Sequence, residues 1–324
     1  MTLQTPPTPA KPSWVPSIRE LLGAWDRAWV WLAERRSGRP TDPRLAFVPE
    51  YDAVFAELGA SELQQDEEPL DEEALSLDLF HPEARSTDRF LGFYTEQGAR
   101  MAFERYGFFD LLRERGFDPL PVGDVSDAEQ HRLRIYDGVE EPEHLLVELV
   151  VGIREMTLPN GVACRFLFVN WLLMQNPTAS FDAGQVALPD QERPGLGLFV
   201  RFAYLLKLMA ARIGCDGLLN HPAHPHNGVL YGQVSSFVDP SVEGRFRAMG
   251  RDVDTSDLAQ LTGAVREGRV VDEAGEPFVW EPTSQVMPVS DAARSWFASP
   301  TYRAQVAEVM GARRYTVRPA TPSR

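Results

Sequence analysis

The sequence predicts a mixed α/β (α+β) fold, a mostly antiparallel sheet flanked by helices, with a helical N-terminal extension and a helical C-terminal segment. Three observations carry this. The hydrophobic period is helical before about residue 115 and alternates from "HRLRIYDG" onward. Two long β-rich stretches, "HLLVELVVGIREM" and "ACRFLFVNWLLM", flank "TLPNG", whose Asn-Gly pair is a hairpin turn signal. An amphipathic helix then stands between strand candidates, which puts one parallel crossover into an otherwise antiparallel sheet.

The elements follow in order. Residues 1–16 carry five prolines and no periodicity, and are expected to be a disordered tail. Ser17 and Glu20 make a capping box, and Ile18, Leu21, Leu22, Trp25, Trp29 and Leu32 share one helical face, so a helix is expected to about Arg36. The acidic stretch 62–74 is expected to be a solvated linker. Residues 86–115 are expected to be helical, as one helix or two broken near Gly107, with their aromatic residues in the core.

After the hairpin, "GQVALP" is expected to be a strand. "DQERPGLG" leads from it into a helix with Leu198, Phe202, Leu205, Leu206, Met209 and Ile213 on its apolar face and Gly214 as its stop. "CDGLLN" is a short strand, 226–233 a short helix, "SSFVDP" and "EPFVWEP" strands, and 290–312 helix. The expected organisation is a tail at 1–16, a helical extension at 17–85, a main domain at 86–289 and a C-terminal helix and tail at 290–324.

Composition narrows the function. The 324 residues carry a net charge of −15, which repels nucleic acid and anionic membrane surfaces, so neither is an expected partner. The two cysteines, Cys164 and Cys215, form no CxxC pair. The N-terminal stretch lacks the apolar region of a secretory signal, and the longest apolar runs fall short of the roughly 20 residues a membrane span needs. The expected location is the cytoplasm.

The strand-to-helix loop suits a diphosphate. Gly195 and Gly197 let a ligand approach the backbone, and the helix behind them presents unpaired N–H groups and the positive end of its dipole. Arg193 can add a charge-assisted contact. The bland alternative is a tight turn that needs glycine. A Rossmann fingerprint is not met, since Val200 stands three residues after Gly197, and the Walker pattern is absent.

The strand, this loop, the amphipathic helix, the next strand and then "HNGVLY" resemble the GNAT superfamily of N-acetyltransferases over roughly residues 86–240. Gly195-Leu196-Gly197 match the glycines of the family's [Q/R]-x-x-G-x-[G/A] loop. Leu230-Tyr231 match the Leu-Tyr of its second segment, and Phe237 stands near the place of that segment's last Phe. Gln191 and Arg193 flank the consensus Gln/Arg place, which Glu192 fills; His224 occupies the place of the family's Asn, and Ser236 that of a Gly.

The resemblance implies a GNAT-like fold that transfers an acetyl or other acyl group from acetyl-CoA or another acyl-CoA to a small-molecule or peptide amine. It implies CoA contacts at Gln191, Arg193, Gly195, Leu196, Gly197 and Asn227, and Tyr231 as the acid for the leaving thiolate. His224 and Glu148 are the candidate bases, and a backbone N–H at the end of the "VALP" strand is the candidate donor to the thioester oxygen. Asn220 is expected to pair with a backbone group at the strand end. Two other functions compete: an inert GNAT-like binding module, and a metal-dependent hydrolase using His221, His224 and His226. The spacing H-x-x-H-x-H, interrupted by Pro222 and Pro225, disfavours a common metal, and no metal is expected.

Overall fold

The computed structural model describes residues 45–65, 89–182, 186–254 and 257–320. The expected tail, the helix at 17–36 and most of the acidic stretch lie outside these residues. The described chain is a mixed α/β structure built on a seven-stranded sheet of order β1-β2-β3-β4-β5-β8-β6. Its strands are β1 (Pro119–Asp124), β2 (His131–Asp137), β3 (Leu145–Thr157), β4 (Ala163–Met174), β5 (Gly217–Asn220), β6 (Ser236–Phe237) and β8 (Gln285–Pro288). Every neighbouring pair is antiparallel except β4 and β5. A second, two-stranded sheet pairs β7 (Val270–Asp272) with β9 (Tyr315–Val317).

The β3–β4 hairpin turns where the Asn-Gly pair predicts. Gly161 takes φ +83°, and the Leu158 amide donates to the Val162 carbonyl at 2.8 Å. Helices α1 (Val48–Glu57), α2 (Ala60–Leu63), α3 (Glu96–Arg105), α4 (Phe108–Arg113) and α5 (Phe199–Arg212) precede β5. Helices α6 (Pro225–Tyr231), α7 (Pro240–Asp252), α8 (Leu258–Arg266), α9 (Asp291–Phe297) and α10 (Pro300–Ala312) follow it. Helix α5 ends at Gly214 with φ +72°, the left-handed stop that glycine accepts freely.

Alternation along the strands decides which side each helix covers. Val147, Leu149 and Val151 of β3 and Leu167 of β4 pack in one cluster with Phe108 and Leu112 of α4 and Phe202 and Leu206 of α5. On the opposite face, Cys164, Phe166 and Phe168 of β4 pack with Trp296 and Phe297 of α9 and Tyr302 and Val306 of α10. A third cluster joins Val229 of α6 to Phe246 and Met249 of α7 and Leu261 of α8. No helix among the described residues is long and apolar enough to cross a membrane.

The structure corrects three local expectations. The stretch 86–115 is two helices, α3 and α4, broken at Gly107 as one alternative expected, but its described start is not helical: 89–94 form a turn closed by a Phe90–Tyr94 bridge, with Leu91 at φ +55°. "GQVALP" contributes no strand among its described residues 186–189, because the chain there turns back through Leu188–Gln191. "EPFVWEP" makes only an isolated bridge, Val271 to Pro277; its two prolines have no N–H to extend a ladder.

Candidate functional site

The site lies where β4 and β5 part. Their parallel ladder covers four residues, Phe166↔Gly217 to Val169↔Asn220. The β3–β4 register then shifts between Val150 and Val151, whose partners are Trp171 and Val169, so Asn170 is the extra residue of a bulge. A bulge bends the strand that carries it. β4 runs on to Met174 after its pairing with β5 has ended. The carboxyl ends of adjacent parallel strands, followed by helices, are where ligands enter α/β sheets.

The glycine loop is docked on this end of β4. The Asn176 amide donates to the Pro194 carbonyl at 2.7 Å. Buried Leu196 and Leu198 anchor the loop, while Gly195 and Gly197 stay exposed. Gly197 has φ +71°, which only glycine takes without strain. No backbone carbonyl among the described residues accepts from the amides of Gly195 through Arg201. The first turn of α5 therefore presents a row of free N–H groups behind two exposed glycines. Gln191 is folded into its own turn, its side-chain oxygen accepting from the Leu188 amide at 3.1 Å. Arg193 is exposed and reaches the Ala179 carbonyl at 3.5 Å.

Helix α6 brings Tyr231 to the same place. Its ring lies 5.6 Å from that of Phe199, the first residue of α5. Burial raises the pKa of the phenol above its ordinary value, and a hydrogen bond from Asn227 pulls the other way. Helix α6 is on the α5 side of the sheet, because Gln285, which shares its face with Met287 of the α5 cluster, donates to the Gly228 carbonyl at 3.3 Å.

Glu148 projects from the opposite face, since its neighbours Val147 and Leu149 belong to the α5 cluster. It accepts from Arg134 Nε at 2.9 Å, with Arg132 at 3.7 Å. Across β4 its register partner is Leu173, three residues before Asn176, where the glycine loop docks.

The histidines of "HPAHPHNGVLY" do not converge on one point: His224 and His226 stack with ring centroids 5.3 Å apart, and each of the three has its own hydrogen-bond partner. His221 Nε2 meets Ser284 Oγ at 3.1 Å, and His226 Nδ1 meets Thr262 Oγ1 at 3.3 Å. His224 Nε2 lies 2.8 Å from Asp190 Oδ2. Three imidazoles with three different partners form no ligand set. No group of three metal-capable side chains exists among the described residues. Pro225 opens α6, so His224 is extended at the N-cap and His226 lies in the first turn.

Asp190 sits at φ +63°, an uncommon conformation for a residue with a side chain, and from it reaches His224. Sequence reading missed this pair because the partners are 34 residues apart. It also misplaced Asn220, which pairs with no group in its side chain: its amide oxygen is buried without a partner.

Buried His226 has a pKa lowered to about 4, by burial first and by neighbouring His224 second, with Asp190 opposing. In the unfolded chain a histidine titrates near 6.5, so the unfolded state takes the proton first as pH falls. Stability is therefore complete above about pH 6.5 and declines below it, by about 2 kcal/mol at about pH 5. Thermal melts at about pH 7 and about pH 5 are expected to show this loss in the parent and a smaller one in His226→Gln. Equal losses in both would assign the pH dependence to another group.

No protein-family profile, curated protein or solved structure matches the chain.

Proposed function

We propose that the chain is an acyl-CoA-dependent N-acyltransferase, moving an acetyl or other acyl group from a CoA thioester to an amine. One observation carries it. The free amides of Gly195 through Arg201, behind two exposed glycines, stand at the open end of β4 with Tyr231 against the first residue of the same helix. The resemblance to the GNAT superfamily at Gly195-Leu196-Gly197 and Leu230-Tyr231 supplies the ligand's identity.

A diphosphate is suited to the amides at the start of α5, where the dipole favours negative charge. Arg193, exposed beside the loop, adds a cation in an otherwise acidic chain. The thioester supplies an activated acyl group. The amine nitrogen forms the new bond to the acyl carbon as the carbon–sulfur bond breaks. Tyr231 gives its proton to the departing sulfur. His224, oriented by Asp190, takes the proton the amine sheds; Glu148, paired with Arg134 on the other face of the sheet, is separated from Tyr231 by the sheet itself. With a net charge of −15, the surface favours the approach of a cationic amine or basic peptide.

The bend of the loop through Leu188–Gln191 removes the strand end from which a backbone donor to the thioester oxygen was expected; β4 past its bulge, where it no longer pairs with β5, is the strand that could supply one instead. A metal-dependent hydrolase has no group of three metal-capable side chains to use among the described residues, each of the three histidines having its own hydrogen-bond partner.

Calorimetric titration of the chelator-treated protein with acetyl-CoA and longer acyl-CoAs tests the proposal. Saturable micromolar binding is expected. No heat with any acyl-CoA would overturn it.

A further inference from the structure

We infer that Asn220 is a ligand-facing residue of this site, and that its carboxamide pairs with a secondary amide of the bound ligand. The ligand's identity rests on the acyl-CoA reading: the pantetheine arm of CoA carries two secondary amides.

Asn220 closes β5 at the position paired with Val169, the last residue of β4 before its bulge. Only 9% of the residue is exposed, and its side-chain oxygen is fully buried with no hydrogen-bond partner. Leaving such a group unpaired costs folding free energy, so natural cores rarely keep one without a use. An apolar residue of the same shape would close "GLLN" more cheaply.

The neighbours of Asn220 sharpen the assignment. Gln285 stands directly across from it on β8 and is completely buried. Alternation puts both side chains on the α5 and α6 side of the sheet, because their strand neighbours Leu218 and Met287 are in the α5 cluster two residues along. The nitrogen of Gln285 is committed to the Gly228 carbonyl, which leaves its oxygen as a second unpartnered acceptor. Asn227 of α6, beside Tyr231, holds a third. Three spare acceptors call for N–H donors, and the amide of Asn220 can present one donor and one acceptor together. A secondary amide is the group that matches both.

Asn220→Leu tests this with two probes, CoA and adenosine 3′,5′-bisphosphate, which keeps the nucleotide but has no amide. The free variant is expected to melt no lower than the parent, since a buried unpaired amide is removed. Its affinity for CoA should fall about ten-fold or more, the scale of one buried hydrogen-bonding group left without its partner, while the bisphosphate binds as before. If CoA binds the parent and the variant equally, the inference is overturned and the acyl-CoA reading stands. A variant that melts well below the parent with unchanged CoA binding shows a structural amide served by buried water, and also overturns it. If neither probe binds the parent, the acyl-CoA reading fails, and the pantetheine amide fails with it.

Discussion

A Gly195→Glu variant is expected to lose affinity for every acyl-CoA by about 100-fold or more, while melting no lower than the parent. The position allows a clean test. Gly195 does not need a left-handed backbone, and a Cβ built on it meets nothing closer than the Met174 carbonyl at 3.5 Å, an ordinary contact. The new carboxylate stands in the loop four residues before Phe199, on the side of α5 whose dipole favours negative charge. The same field that welcomes the carboxylate is then no longer available to a diphosphate. Two like unit charges about 4 Å apart near a protein surface repel by about 4 kcal/mol, and 100-fold in affinity corresponds to about 2.8 kcal/mol. Gly195→Ala, which adds bulk without charge, is expected to lose far less. Gly197 makes a poorer target, because any side chain at φ +71° is strained and confuses folding with binding. Calorimetric titration of the three proteins reads the outcome. Equal affinity in Gly195→Glu and the parent would remove the diphosphate from this loop.

What the sequence made legible was local. The Asn-Gly turn between two β-rich stretches, the period of α5 and its Gly214 stop are set by neighbours within a few residues, and the structure has all three. β1 escaped because "PLPVGD" carries two prolines and a glycine, which count against a strand; it lies at the sheet edge, where missing donors are tolerated. β8, "QVMP", escaped because four buried residues have no period to read. Helix α7 carried a usable signal in Asp239-Pro240, an N-cap followed by proline at the first helical position.

The site divides the same way. The glycines stand in a short strand-to-helix loop, and Tyr231 was named through the resemblance to a family's Leu-Tyr pair. The Asp190–His224 contact and the Asn220–Gln285 pairing join residues far apart in the chain, so only the fold reveals them. Asn220 left one faint trace, a polar residue ending an otherwise apolar strand. Sequence reasoning gave it a backbone partner, and the structure gives its side chain none.

Tyr231→Phe is expected to lower the rate at saturating substrates by about 100-fold or more and to leave acyl-CoA affinity nearly unchanged. The substitution keeps the ring that rests on Phe199 and removes only the hydroxyl. The phenol's raised pKa, set mainly by burial, keeps it protonated through neutral and mildly alkaline pH, as an acid must be before transfer. A phenol near or above its ordinary value of about 10 is a weaker acid than a thiol near about 8.5, so the hydroxyl acts first as a hydrogen-bond donor to the charge that builds on sulfur, and its proton passes only once the carbon–sulfur bond has broken. Sulfur carries that charge in the transition state and not in the bound thioester, which makes the effect one of rate and not of binding. Single-turnover measurement of thiol release with a reactive amine separates these quantities. A parent that binds acyl-CoA and releases thiol, with Tyr231→Phe equally fast, would make Tyr231 a packing residue and leave acid catalysis to another group. A parent that binds acyl-CoA and never releases thiol would instead favour the inert binding module, in which the same loop and the same buried carboxamides hold a ligand without turning it over.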